Sequence, residues 1–279
     1  MARILKHSLL TVALRNLAFS LLALAAAASA DPLQDGFNDM YNLSFDGAHR
    51  HFEDWQQAHP KDPRGPVFDA AAYLFSEFDR LRILQSQFFL DDRNFSGKKT
   101  ELTPDPEVKH NFELALAKSK ALADTRLQAS PHDEIALFST VMRFGLQADY
   151  DALIYKETFQ ALNETKEARR VAQDLLTLYP NCYDAYIAEG VENYLLSQKS
   201  APVRWILHAT GAQTDKETGI AKLKLTAAKG EYLRPYAELL LAVAALRDKD
   251  DAQAHQLLAD LAGRFPQNRL YREELQKLK

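Results

Sequence analysis

The chain has 279 residues, 47% hydrophobic and 26% charged, with a formal net charge of −4. That hydrophobic share over this length can bury a substantial core, as one extended domain or two compact ones. The acidic balance argues against a nucleic-acid partner, which calls for a basic face, and a single cysteine, Cys182, excludes an internal disulfide.

The first thirty residues read as an address. Arg3, Lys6 and Arg15 form a positive region, Leu17 to Ala28 an apolar one, and Ala28-Ser29-Ala30 a small-x-small cleavage site. The apolar stretch is shorter than the roughly 20 residues of a spanning helix. The expectation is therefore a signal peptide, residues 1–30, cleaved after Ala30. Export across the inner membrane then leaves a periplasmic protein with no transmembrane segment in its mature chain. Removing three basic residues and no acid takes the formal charge from −4 to −7. The mature region, 31–279, is read as one helical repeat domain with a possible sub-boundary at the loop 92–106.

No Val, Ile and Thr run alternates with polar residues, so strands are not expected. Helical periodicity runs throughout and predicts about ten to twelve helices. In chain order these are Asp35 to Leu43, Phe45 to Ala58 and a long helix from Arg64 to about Asp91. After the loop come Glu107 to Gln128, His132 to Ala148 and Tyr150 to Leu162, the last two readable as one bent helix. Glu164 to Tyr179, Tyr183 to Ser197 and Ala201 to Thr210 follow. The chain closes with Asp215 to Lys229, capped by Gly230, then Pro235 to Leu246, Asp251 to Arg264 and Pro266 to Leu278.

One spacing recurs: an alanine, a large apolar residue and, twelve positions after the alanine, a proline. It occurs as Ala48…Phe52…Pro60, Ala168…Leu175…Pro180 and Ala254…Leu258…Pro266. The small residue lets two helices approach, and the proline ends the second helix. Ala70 and Tyr73 follow Pro60, and Tyr186 and Gly190 follow Pro180, at the small and aromatic places of a first helix. Ala221, Leu225 and Ala228 repeat the second-helix signature, with Gly230 in place of proline. On these residues the chain resembles a tetratricopeptide repeat protein, and Glu189 to Leu275 resembles uncharacterised secreted bacterial proteins with degenerate repeats. Glu189 and Asn193 depart from the apolar pattern. The resemblance implies an all-α, right-handed solenoid of antiparallel helix hairpins, open at both ends, with the first helices lining a concave groove. Arg64, Tyr150, Glu157, Asp184, Tyr194 and Tyr236 then fall on groove-facing positions, suited to an extended peptide or a partner helix. Ordinary inter-helix packing is the competing reading for each tyrosine.

Motifs for chemistry are weak. His49 and His51 do not share a helix face, and the other histidines lack a metal spacing. Cys182 opens a helix without a base partner. No carboxylate pair stands in an apolar setting, and no phosphate loop or nucleophile elbow occurs. Neither a cofactor nor catalysis is expected. Acids dominate residues 31–62 and bases dominate 199–234, which suggests solvated faces, oppositely charged array ends, or docking to an anionic surface near Arg204 and Trp205. Three functions follow as expectations. The first is an exported scaffold holding a protein or peptide in its groove; the second is a spacer subunit of an envelope or surface-polymer assembly complex. The third is an enzyme with a site at the loop 92–106.

Overall fold

The computed structural model describes residues 31–84 and 102–278; the expected signal peptide, residues 1–30, and most of the expected loop 92–106 lie outside them. Twelve α-helices and no strand occur among the described residues. They are α1 Pro32–Tyr41, α2 Phe45–Ala58, α3 Arg64–Arg80, α4 Pro106–Ala129, α5 Glu134–Tyr150 and α6 Thr158–Leu178. The rest are α7 Tyr186–Ser197, α8 Ala201–Ala209, α9 Lys216–Lys229, α10 Arg234–Arg247, α11 Asp251–Arg264 and α12 Arg269–Lys277. From α2 onward each helix packs on the next, except that α7 pairs directly with α9 and α8 stands aside.

The proline spacing is visible as one turn used repeatedly. After α2, the Asp62 N–H donates to the His59 carbonyl at 2.9 Å; after α6, Cys182 donates to Tyr179 at 3.0 Å; after α11, Asn268 donates to Phe265 at 3.1 Å. A fourth copy surrounds Pro131, where the Asp133 N–H donates to Ser130 at 3.0 Å. Twelve residues before Pro131 stands Ser119, buried like Ala48, Ala168 and Ala254. Its hydroxyl donates to the Pro63 carbonyl at 2.9 Å, so a polar residue fills the small position by finding a main-chain partner. The carboxylates of Asp133 and Asp215 and the amide oxygen of Asn268 then cap the helices that follow them.

The hairpin before α10 has a different register from the one the sequence suggests. Ala221 and Ala228 are exposed, whereas Gly219, Leu223 and Thr226 are buried. A Cβ on Gly219 would lie 2.5 Å from the Tyr194 nitrogen, so Gly219 marks the closest approach of α9 to α7. Gly230 is likewise not a left-handed cap, since its φ is −61°. It is there because a Cβ would meet the Asp184 carboxylate at 2.5 Å.

One expected helix is shorter, and the one expected from Tyr150 to Leu162 does not form. α3 ends at Arg80, where Arg82 takes φ 58° and the Ile83 N–H returns to the Phe78 carbonyl at 2.9 Å. No bent helix joins residues 132 and 162: α5 runs into a π-helical turn at Asp151–Tyr155, and Lys156, at φ 61°, reverses the chain into α6.

The largest departure concerns the ends. Leu33–Lys279 is a single compact unit, and its N-terminal helices pack on its C-terminal ones. The Phe37 ring lies 5.3 Å from Tyr232, Tyr41 lies 5.4 Å from Phe265, and Phe75 lies 5.5 Å from Tyr236. Arg269 pairs with Asp79 at 2.8 Å. A linear stack with two free ends is therefore not what forms. The acidic first segment sits against the chain around Tyr232, so oppositely charged distant ends do not exist. The driving force is elementary: Phe37, Phe52 and Phe68 together with Tyr232 make one aromatic cluster that an open end would leave wet.

Candidate functional site

Closure of the helices leaves an apolar hollow at the centre. Its volume is about 70 Å³, within about 710 Å³ of atom-free space that includes its mouth. That is room for several waters or one small apolar group. Six helices supply the wall, among them Met40 and Tyr41 of α1, Ala71 and Phe75 of α3, and Ile187 and Val191 of α7. The α5 contribution follows from helical spacing: Val141, Met142, Gly145, Ala148 and Asp149 fall on one face and all line the hollow.

Two features of that face are unusual. Gly145 sits in mid-helix, where glycine weakens a helix by roughly 0.5–1 kcal/mol relative to alanine, and a Cβ there would meet nothing within 4 Å. Packing therefore gives no reason for it. Asp149 places a carboxyl on an otherwise apolar wall, and the Tyr236 hydroxyl of α10 donates to its Oδ2 at 3.2 Å. Burial pushes the Asp149 carboxyl up to about 7, and the tyrosine hydrogen bond only partly offsets this. Burial, and then the Asp149 charge, hold the Tyr236 phenol well above its ordinary range. Near neutral pH the hollow thus contains one carboxyl poised between its two protonation states.

A second acid pair lies beside the reversal at Lys156. Asp151 is buried and accepts from the Gln147 amide at 3.3 Å on both oxygens. Glu164 is raised by burial and then by its hydrogen bond with Asp151, and Lys156 is lowered to about 8 by burial. Carboxylates in a desolvated setting therefore do occur, contrary to the sequence expectation. The signal for Asp149 was present: an acid at four residues from Gly145 on the apolar stripe. The Asp151–Glu164 approach depends on the π-helical turn, which no sequence pattern announces.

Of the six residues expected to face a groove, the structure brings Tyr236 alone to the hollow. Tyr150 is buried in helix packing, its ring stacked 5.0 Å from Phe112. Tyr194 is 1% exposed and abuts Gly219. Asp184 is a structural cap: its carboxylate accepts the N–H groups of Glu231, Tyr232 and Leu233, each at 3.0 Å. Arg64 pairs with Asp62 at 2.8 Å and lies over the Trp55 ring. Glu157 is exposed ahead of α6. Arg64 and Asp184 are satisfied locally, the buried hydroxyls of Tyr150 and Tyr194 find no hydrogen-bond partner among the described residues, and the six positions do not converge.

Other candidates resolve similarly. His49 meets Asp69 at 2.5 Å, while the His59 ring packs on Trp55 at 3.9 Å. Among the described residues no three His, Cys, Asp or Glu side chains gather as a metal site. Burial pushes the Cys182 thiol up to about 12, so the helix start does not activate it. No described helix is long and apolar enough to cross a membrane. Compared with family models, curated proteins and solved structures, the chain matches none.

Proposed function

We propose that this is an exported, periplasmic, non-catalytic scaffold of the tetratricopeptide class, its hairpins wound right-handed until the first helices meet the last. It holds a protein or peptide by seating one apolar side chain of the partner in the central hollow. The observation that carries this reading is Gly145: a mid-helix glycine, unexplained by packing, beside an apolar space with an open mouth. A backbone bared in that way lets a partner group come close, and glycine accepts the helix penalty. The one carboxyl on the wall would orient the partner by a hydrogen bond at the rim of an apolar anchor, a common division of labour in such sites.

The test is to fill the hollow without disturbing the fold. Gly145→Phe points a ring into the space where a Cβ meets nothing. In affinity purification from the native envelope, the variant should keep its melting temperature and lose the partner that the unaltered protein retains. Equal recovery by both proteins would refute hollow binding and favour the spacer reading, in which outer surfaces carry the association.

A further inference from the structure

Helix α8, Ala201–Ala209, is inside out. None of its residues is buried. Its partly buried side chains are Arg204 and Leu207, while Val203 is 42%, Trp205 75% and Ile206 57% exposed. Pro202, Trp205, Ile206 and Ala209 stand at i, i+3, i+4 and i+7, a complete apolar stripe turned to solvent. Three of the six exposed large hydrophobic residues of the described chain thus lie on nine residues. A fourth, Phe159 at 87% exposed, lies on the same face of α6 as Lys166, whose ammonium bonds the Thr210 carbonyl at the end of α8.

Cations hold this helix in place. Arg204 donates to the Lys199 carbonyl at 2.8 Å, Lys166 to that of Thr210 at 2.8 Å, and Arg169 to that of Gly211 at 3.1 Å. Arg169 also pairs with Glu192 at 2.5 Å, and Lys166 feels the same carboxylate, whereas Arg204 bonds only carbonyls and keeps its charge. No Asp or Glu occurs between Asn193 and Thr214. The patch is therefore an exposed tryptophan and isoleucine over a cationic base, which is the make-up of helices that lie in a membrane interface.

We infer that α8 seats the protein on an anionic lipid surface, with Trp205 and Ile206 entering the headgroup region and the surrounding cations facing lipid phosphates. A protein partner fits the area less well. A stable interface buries about 800 Å² per partner, and a nine-residue helix standing apart from its neighbours offers far less flat surface. A lipid interface needs only the side chains to partition. The positive charge beside them adds electrostatic attraction to an anionic surface, which salt screens. This inference stands independently of the central hollow, which plays no part in it.

The experiment uses protein beginning at Asp31, which contains the whole compact unit Leu33–Lys279. It is floated with vesicles of phosphatidylcholine containing 30% phosphatidylglycerol, and with phosphatidylcholine alone. Binding to the anionic vesicles should be at least tenfold tighter, should shift tryptophan emission to the blue, and should weaken as salt is raised. The variant Trp205→Ser/Ile206→Ser should keep its circular dichroism and lose at least tenfold in vesicle binding. Equal binding of the variant, or equal affinity for neutral vesicles, overturns the inference. So does a concentration-dependent dimer that the same two substitutions abolish while vesicles go unbound.

Discussion

The Tyr41 hydroxyl donates to the Tyr232 carbonyl at 3.0 Å, joining residues 191 positions apart. Nearby the Asn268 amide donates to the Tyr41 carbonyl at 2.8 Å, and the Asn268 side-chain oxygen caps the Leu270 N–H at 2.9 Å. These bonds are buried, so each end of the helix array satisfies the other. A stack whose units touched only their neighbours would tolerate loss of its last helix; this one ties α1 to the turn before α12.

Asn268→Ala removes a helix cap and strands the Tyr41 carbonyl in one step. A buried orphaned acceptor costs about 1–3 kcal/mol and a cap about 1. Urea unfolding should show a loss of about 2–3 kcal/mol, with the slope of the transition unchanged. A loss below 0.5 kcal/mol would mean that the closure is not coupled to the fold.

Asp149 ties stability to pH. Its carboxyl is raised to about 7 in the folded chain from 3.8. Between those values the folded state holds a proton that the unfolded state has released. Stability therefore falls as pH rises from about 4 to 7 and levels off above. Asp149→Asn removes that slope. Relative to the unaltered protein, the variant should gain on the order of 2 kcal/mol between pH 4.5 and pH 8. That is less than the full shift implies, because the carboxyl keeps some surface on the hollow. Thermal melts across this range measure it, and parallel pH profiles would show that Asp149 is not the titrating group.

Asp184 was expected to face a groove; its three N–H bonds make it a fixture of the turn before α10. Asp184→Ala removes the acceptor of three N–H groups, two of them buried. It should cost at least 3 kcal/mol, a greater loss than any surface charge deletion. Asp184→Arg is expected to unfold this region outright, so it cannot serve as a probe of partner binding. Gly230→Ala attacks the same contact from the other side, its Cβ falling 2.5 Å from Asp184 Oδ1, and should cost about 1–3 kcal/mol.

Cys182 offers a chemical check. Burial holds its thiol at about 12, leaving almost no thiolate at pH 8. Alkylation by iodoacetamide should be at least tenfold slower in the folded protein than in urea. Comparable rates would place the thiol in water.

Local rules carried most of the helix reading because proline turns and apolar periodicity act within a few residues. The break at Ser130-Pro131 is legible, but not its membership of the repeat, because the small position holds Ser119, which resembles a surface residue until the Pro63 carbonyl is beside it. The register of α9 was misread because alanines at 221 and 228 imitate the pattern, while the close approach is made by Gly219 against Tyr194. Ring closure and the hollow were not legible at all. Both depend on aromatic contacts, such as Phe68 with Tyr232 at 4.9 Å, between segments that no local spacing relates.

The two glycines of α5 and α9 separate packing from function. Both lie within helices, where alanine is favoured by roughly 0.5–1 kcal/mol. At Gly219 the added carbon would strike the Tyr194 backbone at 2.5 Å. Backbone cannot swing aside as a side chain does, so Gly219→Ala should destabilise by about 1–3 kcal/mol. At Gly145 the same carbon meets nothing within 4 Å, and Gly145→Ala should stabilise by about 0.5–1 kcal/mol. Denaturant midpoints of the two variants should therefore move in opposite directions from the unaltered protein. A chain that forgoes this gain at Gly145 keeps the space for something other than its own packing. If Gly145→Ala instead destabilises, the glycine is structural and the hollow loses its strongest claim to a partner.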